Sequence, residues 1–440
     1  SDDFMQAVEN DEMFTLSYPV GSDNPKSTKE VRANDVWQQI VESATNTAEP
    51  GILMWDNITK NLPAHEYTAY KTICTNPCAE IPLSAYDSCR LISVNLKNFV
   101  KDPFTANASF DFESFGDTTR QAMRLSDDLV ELEIEKVTSI MNSCDTADEK
   151  ALWLKLRDAA ANGRRTGLGT HGLADALACL QLRYDSDDAI KVIDKIYNTL
   201  KVEAYRESCN LAVERGPFPH FDWETEKNNA FIKSLPEEIQ EMIKKNGRRN
   251  ISILTNAPTG SVSIMSQTSS GLEPVFRNFY TRRRKISHND SETKVDFIDE
   301  VGDKWQEYKV FHHNVQEWRD HTGDTSDNIP DFFVESDQID WLRRVEIQET
   351  IQRHIDHAIS STINLPAGTK PEVVGELYKE GWKRGLKGIT VYVDGSRTGV
   401  LVTDTDEKAD EGFVQRDATP RPELVECEIH RTTSILTALL

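Results

Sequence analysis

The sequence predicts an α/β fold with parallel strands. Two observations carry that reading: strand-length apolar runs recur at residues 88–96, 250–254, 361–366 and 388–393, and spans of helical periodicity separate most of them. A third supports it, since the runs close on turn residues such as Asp394-Gly395. No repeat of roughly 20–50 residues is visible, which sets solenoids aside. At 440 residues and 38% hydrophobic content the chain can bury a large core, as one large domain or two ordinary ones.

Taken in order, residues 1–4 open an acidic, helix-like stretch with no signal-peptide character, and the absence of an initiator Met suggests a cut or processed end. Residues 35–48 read as a helix, with Trp37, Ile40, Val41 and Ala44 on one face and Glu49-Pro50-Gly51 as its stop. A short buried strand follows at 51–55. The stretch 75–83 is held away from helix by Pro77 and Pro82, toward an extended or turned backbone in which side chains should alternate with a period of two. Asn76, Cys78 and Glu80 then share a face, bringing a thiol, an orienting amide and a general base to one small ligand. Taken alone, the cysteine also reads as a small buried hydrophobe. In 88–96, Ile92, Val94 and Leu96 alternate with Cys89, Leu91, Ser93 and Asn95, which lets Cys89 face a site.

Residues 117–137 form a long helix with Ala122, Leu125, Leu129, Leu132 and Val137 inward and Asp127, Asp128, Glu131, Glu133 and Glu135 solvated. Residues 167–172 match G-x-G-x-x-G, but no apolar strand precedes them, so a tight turn into a helix from Leu173 is expected rather than a dinucleotide site. His171 reads as structural. A helix over 185–216 has Ser186 or Asp185 as cap, Ile193, Tyr197, Leu200, Ala204 and Leu211 on its buried face, and Gly216-Pro217 as its end. After the strand at 250–254, small and hydroxylated residues from Thr255 to Ile264 suit an anion at a helix N-terminus, although an ordinary capped turn fits as well. The basic run Arg282-Arg283-Arg284-Lys285 is either a phosphate clamp or a solvated cluster. Residues 286–345 read as an irregular excursion with short helices, and His312-His313 lacks a further metal ligand at useful spacing. Residues 1–400 form the main body, and 401–440 read as a linker or truncated tail.

Composition bounds the function. The 73 acidic against 50 basic residues give a formal charge of −23, which repels polymeric nucleic acid and anionic membranes. No run approaches the roughly 18 apolar residues of a membrane span. Seven cysteines, an odd number without a disulfide framework or a Cys-x-x-Cys pair, point to a reducing, cytoplasmic setting, and no metal site is expected.

The order Asn76-Pro77-Cys78-Ala79-Glu80-Ile81-Pro82-Leu83-Ser84, followed by Asp87-Ser88-Cys89-Arg90-Leu91, resembles the catalytic subunit of a ribonucleotide reductase. The similarity runs from about residue 4 to about residue 430 and includes Arg165-Thr-Gly-Leu-Gly169, Pro258-Thr-Gly-Ser-Val-Ser263, Gln267 to Phe276, Tyr280 to Lys285 and Gly388 to Arg397. It implies a ten-stranded α/β barrel, here incomplete, with a central finger loop carrying the radical cysteine. It also implies roles. Cys78 becomes a thiyl radical, Glu80 is the general base, Asn76 orients the ribose hydroxyls, Cys89 supplies reducing equivalents, and Thr259, Gly260, Ser261 and Ser263 hold the substrate phosphates.

The resemblance is nearest the adenosylcobalamin-dependent branch. Thr390-Val391-Tyr392 stands where the diiron branch has two adjacent tyrosines, and the gap from Cys78 to Cys89 is shorter than in that branch. A diiron-dependent large subunit is the alternative within the family. This chain lacks the family's long N-terminal region, which carries the first strands, an effector site and the disulfide partner of Cys89. Its tail has a lone Cys427, and Val393 replaces a common arginine. The implied picture is a fragment, half of a split enzyme or an incomplete gene product. Its expected partners are a ribonucleotide, bound as the diphosphate, an N-terminal reductase fragment, a thioredoxin-like dithiol reductant and a second copy in a homodimer. A non-catalytic nucleotide-binding or partner-binding fragment is the competing expectation.

Overall fold

In the computed structural model residues 1–286, 293–298, 302–326 and 328–396 are described. The expected tail at 401–440, with Cys427, lies outside them, as does Arg397.

Five parallel segments make the central sheet. Leu91–Asn95 pairs with Gly167–His171, with Leu91 opposite Gly167 and Asn95 opposite His171. A parallel bridge from Leu168 to Leu254 adds residues 252–256, and another from Asn256 to Ile359 adds the run that continues into Thr362–Leu365. That strand pairs in parallel with Gly388–Val393, whose other side takes Ile52–Leu53 antiparallel. Parallel neighbours cannot be joined by a tight turn, and each connection here is helical. Phe112–Ser143 and Ala147–Gly163 make the first crossing, Asp187–Arg215 dominates the second, Trp341–Gln352 lies in the third and Pro371–Lys383 forms the fourth.

Local chemistry explains the helix ends. Asp111, Thr146 and Ser186 each accept a backbone N–H from the first turn of the helix they precede, and Gly216 ends Asp187–Arg215. Ile193, Tyr197, Leu200, Ala204 and Leu211 are all fully buried, as their spacing predicts. The first four belong to a large core with Val94 and Leu168 from the sheet and Leu96 just after it. A second core gathers Trp37, Val41, Ile363, Leu377 and Val391 around the other edge.

Three expectations need correction. Gly167–His171 is a fully buried strand, and only Gly172, at φ 73°, makes the left-handed turn before Leu173–Cys179. The region 286–345 is not simply irregular: Phe279–Lys285 and Lys304–Phe311 pair as an antiparallel ribbon, so the basic run lies on a strand. Its charges are partly neutralised across the ribbon, Arg283 by Glu307 and Lys285 by Asp303. The long helix exposes Leu125 and Leu132 and buries Asp127 completely. Apolar spacing misassigned that face because the helix packs partly against charge. Asp127 Oδ1 accepts from Arg164 Nε at 2.9 Å and Asn250 Nδ2 at 3.0 Å, while Oδ2 meets Arg215 and Arg249 at 3.3 Å each.

Removing this hub leaves clustered guanidinium groups without their shared counter-charge, so Asp127→Ala should cost about 3–5 kcal/mol in urea denaturation. Burial raises the Asp127 carboxyl, but the hydrogen bond and charge of Arg164, with Arg249, more than offset it and hold it below the usual carboxylate value. A depressed native pKa contributes stability that is present at neutral pH and lost as pH falls through that native value. The gap between wild type and Asp127→Ala should therefore narrow below about pH 4. A pH-independent gap would show that packing, not charge, supports the hub.

Candidate active site

The stretch expected to be extended reverses on itself. Cys74–Thr75 pairs antiparallel with Pro82–Leu83, the Asn76 N–H donates to the Ile81 carbonyl at 3.1 Å, and the Ile81 N–H donates to Asn76 Oδ1 at 3.0 Å. Ala79, at φ 68°, completes the turn. The period-two expectation fails because this tight tip replaces a continuous strand. Cys78 stands exposed at the tip, while Glu80 is only 1% exposed.

Glu80 also docks the finger. Its carbonyl accepts from the Ala358 N–H and from Thr255 Oγ1, both at 2.9 Å, so the hairpin is fastened to two neighbouring sheet segments. Its carboxylate is differently placed: Oε2 is buried with no hydrogen-bond partner among the described residues, as is Nδ2 of nearby Asn256. Buried polar atoms are rarely left unpaired, and at a loop tip beside an exposed thiol they mark a place for a polar ligand.

Cys89 precedes the Leu91–Asn95 strand, and the glycines of 167–169 set how closely it approaches. A Cβ on Gly167 would lie 2.5 Å from Cys89 Sγ, and one on Gly169 would lie 2.2 Å from the Thr255 carbonyl oxygen. These glycines serve strand contact, not a dinucleotide turn. His171 ties the strand to the next loop, with Nδ1 2.8 Å from Ser93 Oγ and Nε2 3.1 Å from Ser266 Oγ, in keeping with a structural role. His312 Nε2 lies 2.8 Å from Asp175 Oδ1.

Sequence reading missed the charged surround of Cys89. Arg165 is clamped between Asp87 Oδ2 at 2.7 Å and His357 Nε2 at 3.0 Å, and Arg90 bonds the Arg165 carbonyl at 2.9 Å. Asp87 beside Cys89 and Arg165 ahead of the glycines were visible as motif residues, but their pairing across the fold was not. Burial pushes the Cys89 thiol up to about 12, outweighing the lowering fields of Arg165 and Arg90. Burial and then the Glu80 charge also raise Cys78. Both sulfurs therefore hold their hydrogens at neutral pH, a state suited to hydrogen-atom exchange rather than thiolate attack.

The expected anion loop opens the Gly260–Ser266 helix after Thr259, which sits at φ 53°. Gly260 and Ser261 are exposed, whereas Ser263 is buried, its Oγ 2.8 Å from both the Gly260 carbonyl and Ser270 Oγ. Thr259 Oγ1 accepts from the Gly271 N–H at 2.8 Å. The surface of the loop is thus Gly260 and Ser261, braced from within by Thr259 and Ser263.

Residues 1–392 match the family described as "Ribonucleotide reductase, barrel domain". The chain is 29% identical over 417 residues to a vitamin B12-dependent ribonucleoside-diphosphate reductase of Thermoplasma acidophilum, covering 92% of this chain and 47% of that protein. A Mycobacterium tuberculosis protein of the same name is 28% identical over 93% of this chain and 53% of its own length. The chain spans about half the length of these curated relatives. The alpha subunit of the Actinobacillus ureae class Id ribonucleotide reductase shares the fold, with a TM-score of 0.56 at 20% identity over 82% of this chain and 61% of that one.

Exposure and thiol acidity together rank the two cysteines. Iodoacetamide at pH 8 should label Cys78 at least about tenfold faster than Cys89, because only the thiolate reacts, Cys78 is exposed where Cys89 is half-buried, and burial pushes the Cys89 thiol up to about 12. Peptide mapping by mass spectrometry would read the rates, and comparable labelling would overturn the packing described around Cys89.

Proposed function

The chain belongs to the ribonucleotide reductase barrel-domain family, and on that premise we propose that it carries the radical site of an enzyme reducing ribonucleoside diphosphates to 2′-deoxyribonucleotides. The observation that carries this reading is the finger: an exposed, protonated Cys78 beside a buried Glu80 whose Oε2 has no partner among the described residues. A Cys78 thiyl radical takes the 3′ hydrogen atom of the ribose, and Glu80 accepts the 3′-hydroxyl proton. Asn76 orients the ribose hydroxyls through its amide. The 2′-hydroxyl leaves as water with a proton from Cys89, C2′ takes a hydrogen and the electrons of the pair formed by Cys89 and a second cysteine, which becomes a disulfide, and Cys78 then returns its hydrogen atom to C3′. An external dithiol protein of the thioredoxin kind restores them. Gly260 and Ser261 present amide and hydroxyl donors to the substrate phosphates, with Thr259 and Ser263 holding the loop.

The proposed cofactor is adenosylcobalamin, as the names of the relatives suggest. An openly exposed thiol at the finger tip fits a bulky cofactor that must approach it, and Val391 and Tyr392 offer no pair of adjacent tyrosines. When bound, such a cofactor supplies the radical equivalent that removes the thiol hydrogen. Full activity is proposed to require the segments that the longer relatives carry beyond this span, including the partner of Cys89. Among the described residues Leu91–Asn95 pairs on one side only, and Leu91 is 47% exposed, which suits a further strand or chain there. No helix of the described residues is long and apolar enough to cross a membrane, and a cytoplasmic setting is proposed from the free cysteines.

Cys78→Ser should abolish turnover in the reconstituted enzyme while leaving nucleotide binding within about 0.5 kcal/mol of wild type, the scale of a surface substitution. Deoxynucleotide formed by that variant would remove Cys78 from the reaction. Reconstitution should succeed with an N-terminal complement, dithiol and adenosylcobalamin without an iron-bearing subunit; turnover only with such a subunit would overturn the cofactor. Ser261→Ala should weaken nucleotide binding by about 1–3 kcal/mol in calorimetry, the scale of a lost hydrogen bond to a charged group. An unchanged dissociation constant would reduce the loop to a turn.

A further inference from the structure

The charges around Cys89 have no part in the reaction as described above, yet they are among the most deeply buried in the chain. Arg165 is 1% exposed and Arg90 7%. Arg90 directly follows Cys89, and its carbonyl accepts the Gly167 N–H at 2.9 Å. Arg165 stands two residues ahead of Gly167, the position where a Cβ would collide with Cys89 Sγ. The close approach of the paired strands Leu91–Asn95 and Gly167–His171 therefore brings one cation from each to the sulfur.

Both guanidinium groups are held in place. Arg165 Nε donates to Asp87 Oδ2 at 2.7 Å, and its Nη1 lies 3.0 Å from His357 Nε2. His357 Nδ1 is 2.9 Å from the Leu254 carbonyl, which only accepts, so Nδ1 carries the ring hydrogen and Nε2 accepts from Arg165. Burial pushes His357 down to about 4, which leaves the ring neutral and Arg165 charged beside it. Arg90 pairs through Nε with Glu133, and its Nη1 donates to the Ser88 and Arg165 carbonyls at 3.2 and 2.9 Å. On each arginine the remaining nitrogen, Nη2, is buried without an acceptor among the described residues. Unpaired buried donors are rare and costly, and two beside one thiol suit a negative charge that arises only during reaction.

Cys89 makes such a charge on the reductase reading, on which this inference rests. Its S–H bond breaks as the proton passes to the departing 2′-hydroxyl, the C2′–O bond breaks to release water, and the S–H electron pair stays on sulfur. We propose that Arg165 and Arg90 are positioning residues that act through Cys89, their fixed positive charge stabilising the sulfur anion it becomes on giving up that proton. A charge already locked in place costs no reorganisation when the anion forms. Each arginine favours the anion at Cys89 more strongly than Asp87 or Glu80 opposes it. At rest burial outweighs both arginines, so the sulfur keeps its hydrogen until the hydroxyl takes it.

Iodoacetamide labelling of the purified chain between pH 7.5 and 9, with Cys78 as internal reference and peptide mapping as readout, tests the coupling. Arg90→Gln and Arg165→Gln should each slow Cys89 by about tenfold or more, the factor of one pKa unit from a nearby opposite charge, and leave Cys78 unchanged. Arg90→Lys keeps the charge and should hold the wild-type rate. Arginines that only pack predict the opposite sign, because a loosened site exposes the half-buried thiol and speeds its labelling. Arg90, whose Glu133 partner is partly exposed, stays readable even if Arg165→Gln does not fold. In the reconstituted enzyme Arg90→Gln should lower kcat, by no more than the same factor, with KM unchanged. Unchanged or faster Cys89 labelling in Arg90→Gln would overturn the proposal, and so would slowed labelling with undiminished kcat. A reconstituted wild type that forms no deoxynucleotide, alongside slowed labelling in the variants, would sink the reductase reading and leave the arginine-stabilised sulfur anion standing.

Discussion

The carboxylate of Asp356 holds the centre of this fold. Its Oδ1 accepts the backbone N–H groups of Leu254 at 2.7 Å and His357 at 2.9 Å, and its Oδ2 accepts that of Ile253 and the Tyr205 hydroxyl, both at 2.8 Å. A fully buried carboxylate is tolerable only when both oxygens are saturated in this way. What it gains for the structure is register. With residues 253–254 locked to 356–357, Thr255 Oγ1 and the Ala358 N–H come side by side, and that pair receives the Glu80 carbonyl. The position of the finger, and hence of Cys78, follows from a charge that never meets solvent.

The close approach of backbones is the second constraint. Gly169 allows the Thr255 carbonyl to sit where any side chain would clash, and Gly167 does the same for Cys89. Cys89 ahead of its strand, Gly167 at the start of the next and Thr255 near the end of the third are thereby drawn together beside the finger. Enclosure has an electrostatic consequence: the same packing that fixes Cys89 desolvates it, and two buried arginines do not compensate. A site needing thiolates would be badly served by this arrangement, whereas one exchanging hydrogen atoms is well served.

Local pattern made much of this legible. Caps, glycine stops and helical spacing located Asp187–Arg215 and its buried face, and alternation placed Ile92, Val94 and Leu96 inward. The α/β class followed from the order of elements. What failed depended on partners distant in sequence. Asp127 looked solvated because its neighbours are acidic, yet its arginines come from three other segments. The 167–172 glycines looked like a turn because Gly is a poor strand former; Gly172 does turn, whereas the Cys89 sulfur explains Gly167 and the Thr255 carbonyl explains Gly169. The finger looked extended because proline spacing does not reveal a reversal made by Ala79.

Asp356 also links the two ends of the sheet. Its side chain orders the segments that seat the finger, while its backbone carbonyl accepts a hydrogen bond from the buried Lys387 side chain at 2.6 Å. Lys387 bonds the Asp356 carbonyl while Thr255 and Ala358 bond the Glu80 carbonyl, and the covalent backbone of 356–358 joins the two sets.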